Sequence, residues 1–110
     1  MATYAYIFSY KAETWARLIA EPHDRTAAVR STVEDAGGTL EALYYTVDDL
    51  GGLALVEAPD ADTAAAINLV IIGSGAFETV RVQRIVPAAE FTAVLGRAQA
   101  ASHGFRRPGG

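Results

Sequence analysis

The sequence predicts an α+β domain whose elements follow the order β-α-β-β-α-β, with one further helix at the end. Three observations carry this prediction. Thr39–Asp60 reads as two strands joined by a turn, helical patterns flank this hairpin, and a strand-like run lies beyond each helix. The chain has 110 residues, which is enough for one domain with one core.

The first strand is predicted at Thr3–Tyr10, where four aromatic residues alternate and so share one face. Neither face of this strand carries a charge. We therefore expect helices to cover one face and a partner to cover the other. Lys11–Ala20 follows as a short predicted helix, which Pro22 limits because proline disfavours helix in the residue before it.

The second predicted helix is Asp24–Ala36, and the glycine pair after it supplies a left-handed C-cap. The central hairpin then consists of strands at Thr39–Val47 and Leu53–Glu57, joined by the turn Asp48–Gly52. Helix, strand and helix follow, and the end of the chain is rich in Gly, Pro and Arg. Their predicted ranges are Asp60–Ile72, Ala76–Val86 and Pro87–Ala101. Residues 1–101 thus form the predicted domain, and residues 102–110 a disordered tail.

This order of elements is that of the ferredoxin-like fold. Right-handed crossovers are expected to place the first and third strands in the centre of the sheet, parallel to each other, with both helices on one face. On that arrangement Lys11 and the Asp48–Gly52 turn lie at opposite ends of the sheet, and Gln83 and Arg84 are nearer to the turn. The other sheet face is apolar and bare in the monomer, so we expect a homodimer that buries it.

Composition excludes several classes of partner. Nine basic against 13 acidic residues give a net charge of −4, which disfavours nucleic acid. There is no cysteine, and the two histidines make no metal motif, so we expect no metal site and no cofactor. The chain start does not read as a secretory signal, and no apolar run is long enough to span a bilayer. The expected location is cytoplasmic, with no membrane partner.

Several segments resemble the GYD-domain family of small bacterial proteins. Ser9–Ala16 (SYKAETWA), Pro22–Arg30 (PHDRTAAVR), the Gly37-Gly38 pair and Val56–Asp60 match family motifs in the same order, within Tyr4–Ala89. The resemblance implies a ferredoxin-like domain that pairs into a dimeric α/β barrel. The Gly-x-Tyr-Asp turn itself is replaced here by Asp48-Asp49-Leu50-Gly51, and Lys11 stands in place of a family threonine.

The dimeric α/β barrel class also includes cofactor-independent monooxygenases, polyketide cyclases and haem-degrading enzymes. By analogy we expect a small-molecule-binding protein, with a leaning towards a cofactor-independent cyclase, oxygenase or isomerase. Its expected substrate is aromatic or polyketide-like. One alternative is a non-catalytic ligand-binding or accessory protein of the GYD family, and another is a structural dimer with a closed core.

Lys11, Asp48 and Asp49 are the candidate catalytic residues. Lys11 follows the first strand, where its ammonium could hold an anionic or enolate oxygen if the short helix covers a pocket. The ordinary alternative is a lysine in water at the sheet edge. The two aspartates are adjacent carboxylates, but aspartate is also a common, solvated turn residue.

Tyr6, Trp15, Tyr45 and Asn68 are the candidate substrate-binding residues. Trp15 would form an apolar wall, and the phenols of Tyr6 and Tyr45 would line an aromatic pocket. Packing in the core with a satisfied hydroxyl is the alternative for each tyrosine. Asn68 interrupts an apolar helix, so its amide either points to water or faces a cavity in which a ligand supplies its hydrogen bonds.

Overall fold

The computed structural model describes residues 1–109, which form four strands and four helices in the predicted order. Their bounds are β1 Ala2–Tyr10, α1 Ala12–Ala20, α2 Thr26–Asp35, β2 Thr39–Tyr45, β3 Gly51–Ala58, α3 Ala61–Gly73, β4 Phe77–Ile85 and α4 Ala88–Ser102. The predicted ferredoxin-like α+β fold is confirmed. The main difference in bounds lies in the hairpin, where β2 ends two residues early and β3 begins two residues early.

The sheet has the strand order β2-β3-β1-β4, and every neighbouring pair of strands is antiparallel. The first and third strands are central as predicted, but the prediction that they run parallel is wrong. Each crossover connects two parallel strands across one intervening strand. β3 therefore lies between β1 and β2 and opposes both of them.

Because β1 and β3 are antiparallel, the predicted catalytic residues lie at other positions relative to one another than expected. Gly51, which begins β3, pairs with Ser9 near the end of β1. Lys11 and the Asp48–Gly52 turn therefore lie at the same end of the sheet, below called the Tyr10 end, and the prediction of opposite ends is wrong. Arg84 pairs with Tyr4 at the far end, so it is not the nearer partner of the turn.

The core lies between the sheet and the helices α2 and α3. Tyr4 and Tyr6 of β1 pack there with Val56 of β3, because residues at every second position share a face. Val33 of α2 and Ile67 of α3 close this layer, at 2 % and 1 % exposure. Burying each aliphatic side chain of this kind contributes about 1.5–3 kcal/mol.

The opposite face of the sheet carries no helix. Ile7 pairs with Leu53 and Ala5 with Leu55, so these four apolar side chains form its centre. Tyr44 lies beside Leu53 on β2 and is 59 % exposed. This is the bare apolar face that the alternation in β1 predicts, and its burial in a homodimer stays a prediction.

Helix α4 stands apart from the rest of the chain, and all of its residues are exposed. The radius of gyration is 17.9 Å, against roughly 13 Å for an ordinary domain of about this size. Phe91, Val94 and Leu95 form an exposed apolar stripe along the helix. The predicted tail begins at the last residue of α4, and its disorder stays a prediction; its final residue, Gly110, lies outside the described part.

The β2–β3 turn holds Leu50 in the left-handed region, at φ 56°. Thr46 fixes this turn, because its hydroxyl accepts a hydrogen bond of 2.8 Å from the Gly51 N–H and donates one to the Asp49 carboxylate. Left-handed backbone costs an L-residue roughly 1–2 kcal/mol, whereas glycine adopts it freely.

We therefore expect Leu50→Gly to raise the free energy of unfolding by about 1 kcal/mol, after part of the gain is lost to unfolded-state entropy. Urea titration would measure this change. Val47→Gly is the matched control in the same turn, since Val47 is 84 % exposed and has no positive φ. The control should lower stability slightly, and a loss of stability in Leu50→Gly as well would contradict the assignment of strain.

Candidate functional site

A cavity of about 390 Å³ lies between α1, α2, α3 and the Tyr10 end of the sheet. Its floor is apolar and comes from all three helices and from β4. Apolar residues of the lining are Leu18, Ala28, Val29, Val33, Ile67, Val70, Ile71, Ala76 and Phe77. Polar residues of the lining are Tyr10, Thr14, Arg17, Glu21, His23, Arg25, Thr32 and Ser74. An apolar pocket with a few polar groups is the usual form of a small-molecule site.

Helix α1 forms one wall of the cavity and is attached at its first turn. Lys11, its N-cap residue, donates its backbone N–H to the carbonyl of Ala76 at 3.0 Å. Thr14 donates its hydroxyl to the same carbonyl at 2.7 Å. None of the α1 residues is fully buried. The helix therefore covers a space at the end of the sheet instead of packing into the core.

Five aromatic side chains meet at this end of the sheet, and we call them the aromatic cluster: Phe8, Tyr10, Trp15, Tyr45 and Phe77. The Tyr10 ring is central, with its centroid 5.0 Å from that of Trp15 and 5.0 Å from that of Phe77. The pair with Trp15 is edge-to-face and the pair with Phe77 is tilted at 49°, and aromatic pairs at such distances are each worth about 0.5–1.5 kcal/mol beyond their buried area. The cluster therefore fixes Tyr10 and Phe77, its two members that line the cavity.

Two phenols of the aromatic cluster are hydrogen-bonded, with 3.1 Å between the Tyr10 and Tyr45 hydroxyl oxygens. Burial raises the pKa of the Tyr45 hydroxyl, and the hydrogen bond to Tyr10 raises it further. Tyr45 therefore keeps its proton at neutral pH. One hydroxyl proton lies between the two oxygens, and Tyr10 lines the cavity, so the second proton of the pair can be donated to an oxygen there.

The charged residues of the cavity lining lie at the end of α1 and the start of α2, and we call this part of the cavity its mouth. Arg17 and Glu21 are exposed residues of α1 and its C-cap, while Arg25 is half-buried at the start of α2. His23, between them, lies with Nδ1 2.8 Å from the carbonyl oxygen of Glu21. Asp24 is held locally, since one carboxylate oxygen accepts both the hydroxyl and the backbone N–H of Thr26.

The three predicted catalytic residues lie at the Tyr10 end of the sheet but do not line the cavity. Lys11 is half-buried between two residues of the lining, Tyr10 and Thr14, whereas Asp48 and Asp49 are exposed in the hairpin turn. Asp49 accepts a hydrogen bond from the Thr46 hydroxyl. Their catalytic role stays a prediction.

The four predicted binding residues lie around the cavity and also do not line it. Trp15 and Tyr45 belong to the aromatic cluster, whereas Tyr6 is only 1 % exposed and donates its hydroxyl to the Ala64 carbonyl at 2.6 Å. The buried Oδ1 of Asn68 has no hydrogen-bond partner among residues 1–109. Sequence reasoning missed Tyr10, whose place after Tyr6 and Phe8 at the end of the alternating strand was the available signal.

Burial raises the pKa of the Tyr6 hydroxyl from 10.0 to about 12, and the nearby Tyr4 adds to the rise. Between pH 10.0 and about 12 the Tyr6 hydroxyl is ionised in the unfolded chain and protonated in the folded chain. The free energy of unfolding therefore falls as the pH rises through this range. We expect chemical unfolding at pH 9–12 to show that loss, and Tyr6→Phe to reduce it to the share that the raised pKa of Tyr45 contributes. Tyr44→Phe is the control, and an equally steep loss in Tyr6→Phe would contradict the assignment.

Other kinds of site receive no support within residues 1–109. This part of the chain contains no group of three or more His, Asp or Glu side chains placed to hold a metal ion. None of its helices has both the length and the apolar character that crossing a membrane requires.

The chain is thus a small ferredoxin-like α+β domain with a cavity between its helices and one end of its sheet. The family model for the GYD domain matches residues 4–95, so the chain belongs to the GYD-domain family. No curated protein matches the chain.

Among solved structures the chain is similar to one titled as an uncharacterized NIPSNAP domain protein from Burkholderia xenovorans. The two are 13 % identical, and the match covers 81 % of this chain and 96 % of the other, with a TM-score of 0.48. A likeness at this level carries no argument about function.

Proposed function

We propose that the protein binds a small, largely apolar molecule in the cavity between α1, α2, α3 and the sheet. The observation that carries this proposal is the cavity itself, whose volume of about 390 Å³ lies in the range of small-molecule sites. About half of its lining residues are apolar, and its charged side chains come from the end of α1 and the start of α2. Membership of the GYD-domain family is compatible with this function.

Nile red, a neutral dye that fluoresces in apolar surroundings, tests the proposal. The wild-type protein should bind it with a single site per chain. Ala28→Trp places an indole in the cavity from an exposed position on α2, and this should reduce binding at least tenfold. Ala27→Trp is the matched control, because Ala27 is equally exposed and does not line the cavity. Equal dye binding by both variants would overturn the proposal.

We also propose that the protein is a homodimer. Three apolar surfaces are open in the single chain: the centre of the bare sheet face, the stripe on α4, and the outer side of α3, where Leu69 and Ile72 are 68 % and 58 % exposed. Patches of this kind usually mark interfaces. Light scattering at micromolar concentration should give twice the chain mass, and a stable monomer would contradict this assembly.

A second candidate function is cofactor-independent catalysis on an aromatic or polyketide-like ketone, and the Tyr10–Tyr45 phenol pair favours it. In such a reaction a C–H bond beside the carbonyl breaks, and the proton passes to water in the cavity, since Asp48 and Asp49 do not line it. The electron pair moves to the carbonyl oxygen, which becomes an enolate. The Tyr10 hydroxyl would donate a hydrogen bond to that oxygen, which is a common source of rate enhancement.

Deuterium exchange into 2-tetralone, followed by NMR in D2O, measures this elementary step directly. Catalysis predicts exchange faster than in buffer, and Tyr10→Phe should slow it at least tenfold while Nile red still binds. Exchange at the buffer rate, together with intact dye binding, would leave the protein as a non-catalytic binder.

Lys11→Thr tests the predicted catalytic lysine, and it restores the residue type of the family at this position. Lys11 is half-buried and follows the lining residue Tyr10 in the chain, and we propose that its ammonium reaches the enolate oxygen, so its loss should slow exchange in 2-tetralone about tenfold. The melting temperature should stay within a few degrees, because Lys11 holds α1 through its backbone. Arg81→Thr, on the bare sheet face, is the control. An unchanged exchange rate in Lys11→Thr would exclude this role.

A further inference from the structure

We propose that the natural ligand of the cavity carries one carboxylate or similar anionic group, which Arg25 binds at the mouth while the apolar remainder lies on the floor. This inference rests on the proposed binding function and adds the chemical class of the ligand. It assigns Arg25 as the residue that determines specificity.

The cavity lining carries more basic than acidic side chains, whereas the whole protein carries more acidic than basic ones. The whole chain has a net charge of −4, yet the lining contains two arginines and only one carboxylate, Glu21. Glu21 is exposed at the outer edge, at the C-cap of α1. Among the lining side chains an anion therefore meets two cations and one carboxylate, which favours its binding over that of a neutral analogue; the Asp24 carboxylate lies next to Arg25 in the chain but outside the lining.

Arg25 is the better placed of the two arginines. It is half-buried, whereas Arg17 is exposed, and charges that are partly buried are screened less by salt. The neighbouring carboxylate, Asp24, accepts hydrogen bonds from Thr26 and is thereby held at the start of α2. Arg25 is thus a cation that lines the cavity, and the carboxylate next to it, Asp24, is hydrogen-bonded to Thr26.

Arg25 also lies near the phenol pair. Its positive charge acts against the rise that burial and the Tyr10 hydrogen bond produce in the pKa of Tyr45, while the Asp24 carboxylate adds to that rise. Tyr10 lines the same cavity, so in the proposed complex its phenol is a second hydrogen-bond donor to the carboxylate. The planar guanidinium fits a carboxylate with two parallel hydrogen bonds, which supply both strength and orientation.

The apolar part of the ligand has its place directly below these groups. Ala28 and Val29 follow Arg25 on α2 and line the cavity, and Phe77 offers an aromatic wall beside Tyr10. A compact aromatic or aliphatic acid satisfies both regions at once. A highly charged ligand such as a nucleotide would leave its further charges facing the apolar floor.

The test compares 2-naphthoate with 2-naphthalenemethanol, which share a ring system and differ in charge. Calorimetric titration of the wild-type protein should show at least tenfold tighter binding of 2-naphthoate. Arg25→Gln should weaken 2-naphthoate binding about tenfold and change the alcohol less than twofold. Arg30→Gln makes the same change on the same helix, outside the cavity, and should alter neither.

The outcomes separate this inference from the proposed function. Equal affinity of the wild type for acid and alcohol, or equal losses in Arg25→Gln and Arg30→Gln, would overturn the inference while Nile red binding upholds the cavity. Failure to bind the dye and both naphthalene probes would overturn the proposed function as well. If Arg25→Gln does not fold, Arg25→Lys is the second variant, because it keeps the positive charge but removes the planar guanidinium and its two parallel hydrogen bonds. Weaker 2-naphthoate binding in that variant supports the inference, and unchanged binding contradicts it.

Discussion

Gly52→Ala is expected to destabilise the protein by about 3 kcal/mol, the largest effect for the smallest change in this chain. A Cβ atom on Gly52 would lie 2.1 Å from the Cζ atom of the Phe8 ring and within 2.7 Å of two further ring atoms. The ring lies across the glycine because Phe8 and Gly52 are direct partners in the β1–β3 ladder.

The Phe8 ring cannot turn away at low cost. It packs against Tyr10 at 5.3 Å, Phe77 at 5.4 Å and Tyr45 at 6.2 Å between ring centroids. Moving it would displace the aromatic cluster beside the cavity. Thermal unfolding should therefore shift down by roughly 10–20 °C, and Nile red should bind more weakly.

Two further measurements test whether the clash with the Phe8 ring causes the loss of stability. Gly73→Ala is the control, because a Cβ at Gly73 meets no atom within 4 Å and the residue has no positive φ, so it should be neutral or slightly stabilising. In a Phe8→Ala background the added methyl group of Gly52→Ala meets no ring. The second substitution should then cost less than about 1 kcal/mol, and additive losses would contradict the proposed clash.

Trp15→Ala is expected to loosen helix α1 by about 2 kcal/mol, which corresponds to roughly 30-fold faster amide exchange within that helix. Trp15 packs edge-on against Tyr10 at 5.0 Å and contacts Tyr45 at 6.2 Å. No residue of α1 is fully buried, so few other side chains attach the helix to the sheet. Since α1 forms one wall of the cavity, binding of Nile red should fall in parallel.

Hydrogen exchange followed by mass spectrometry would measure this effect helix by helix. Ile19→Ala removes another large apolar side chain from α1, but Ile19 is 77 % exposed, so this control should leave exchange and dye binding unchanged. Protection of α3 should stay the same in both variants. Uniform loss of protection throughout the protein would indicate that Trp15 supports the whole core, and not α1 in particular.

The aromatic residues show how far the sequence alone predicts the candidate site. Alternation in Thr3–Tyr10 predicts that Tyr4, Tyr6, Phe8 and Tyr10 share a face, and the structure confirms it. The same pattern does not tell which of the four reaches a cavity. Tyr6 lies under α3 with its hydroxyl bonded to the Ala64 carbonyl, whereas Tyr10, at the end of β1, lines the cavity and is 8 % exposed. That difference depends on where a helix distant in sequence ends.

The sequence by itself determined the order of the elements, the helix-facing and bare faces of the sheet, and the GYD-domain family. These features follow from local periodicity, turn residues and motif order, all of which depend on residues that are close together in the sequence. Only the tertiary structure decided that β1 and β3 oppose each other, that Lys11 and the hairpin turn share one end of the sheet, and that Arg25 and Tyr10 line the same cavity. These relations arise from pairing between distant strands and from helices that cross the sheet. The energy of those contacts depends on partners that no local pattern specifies.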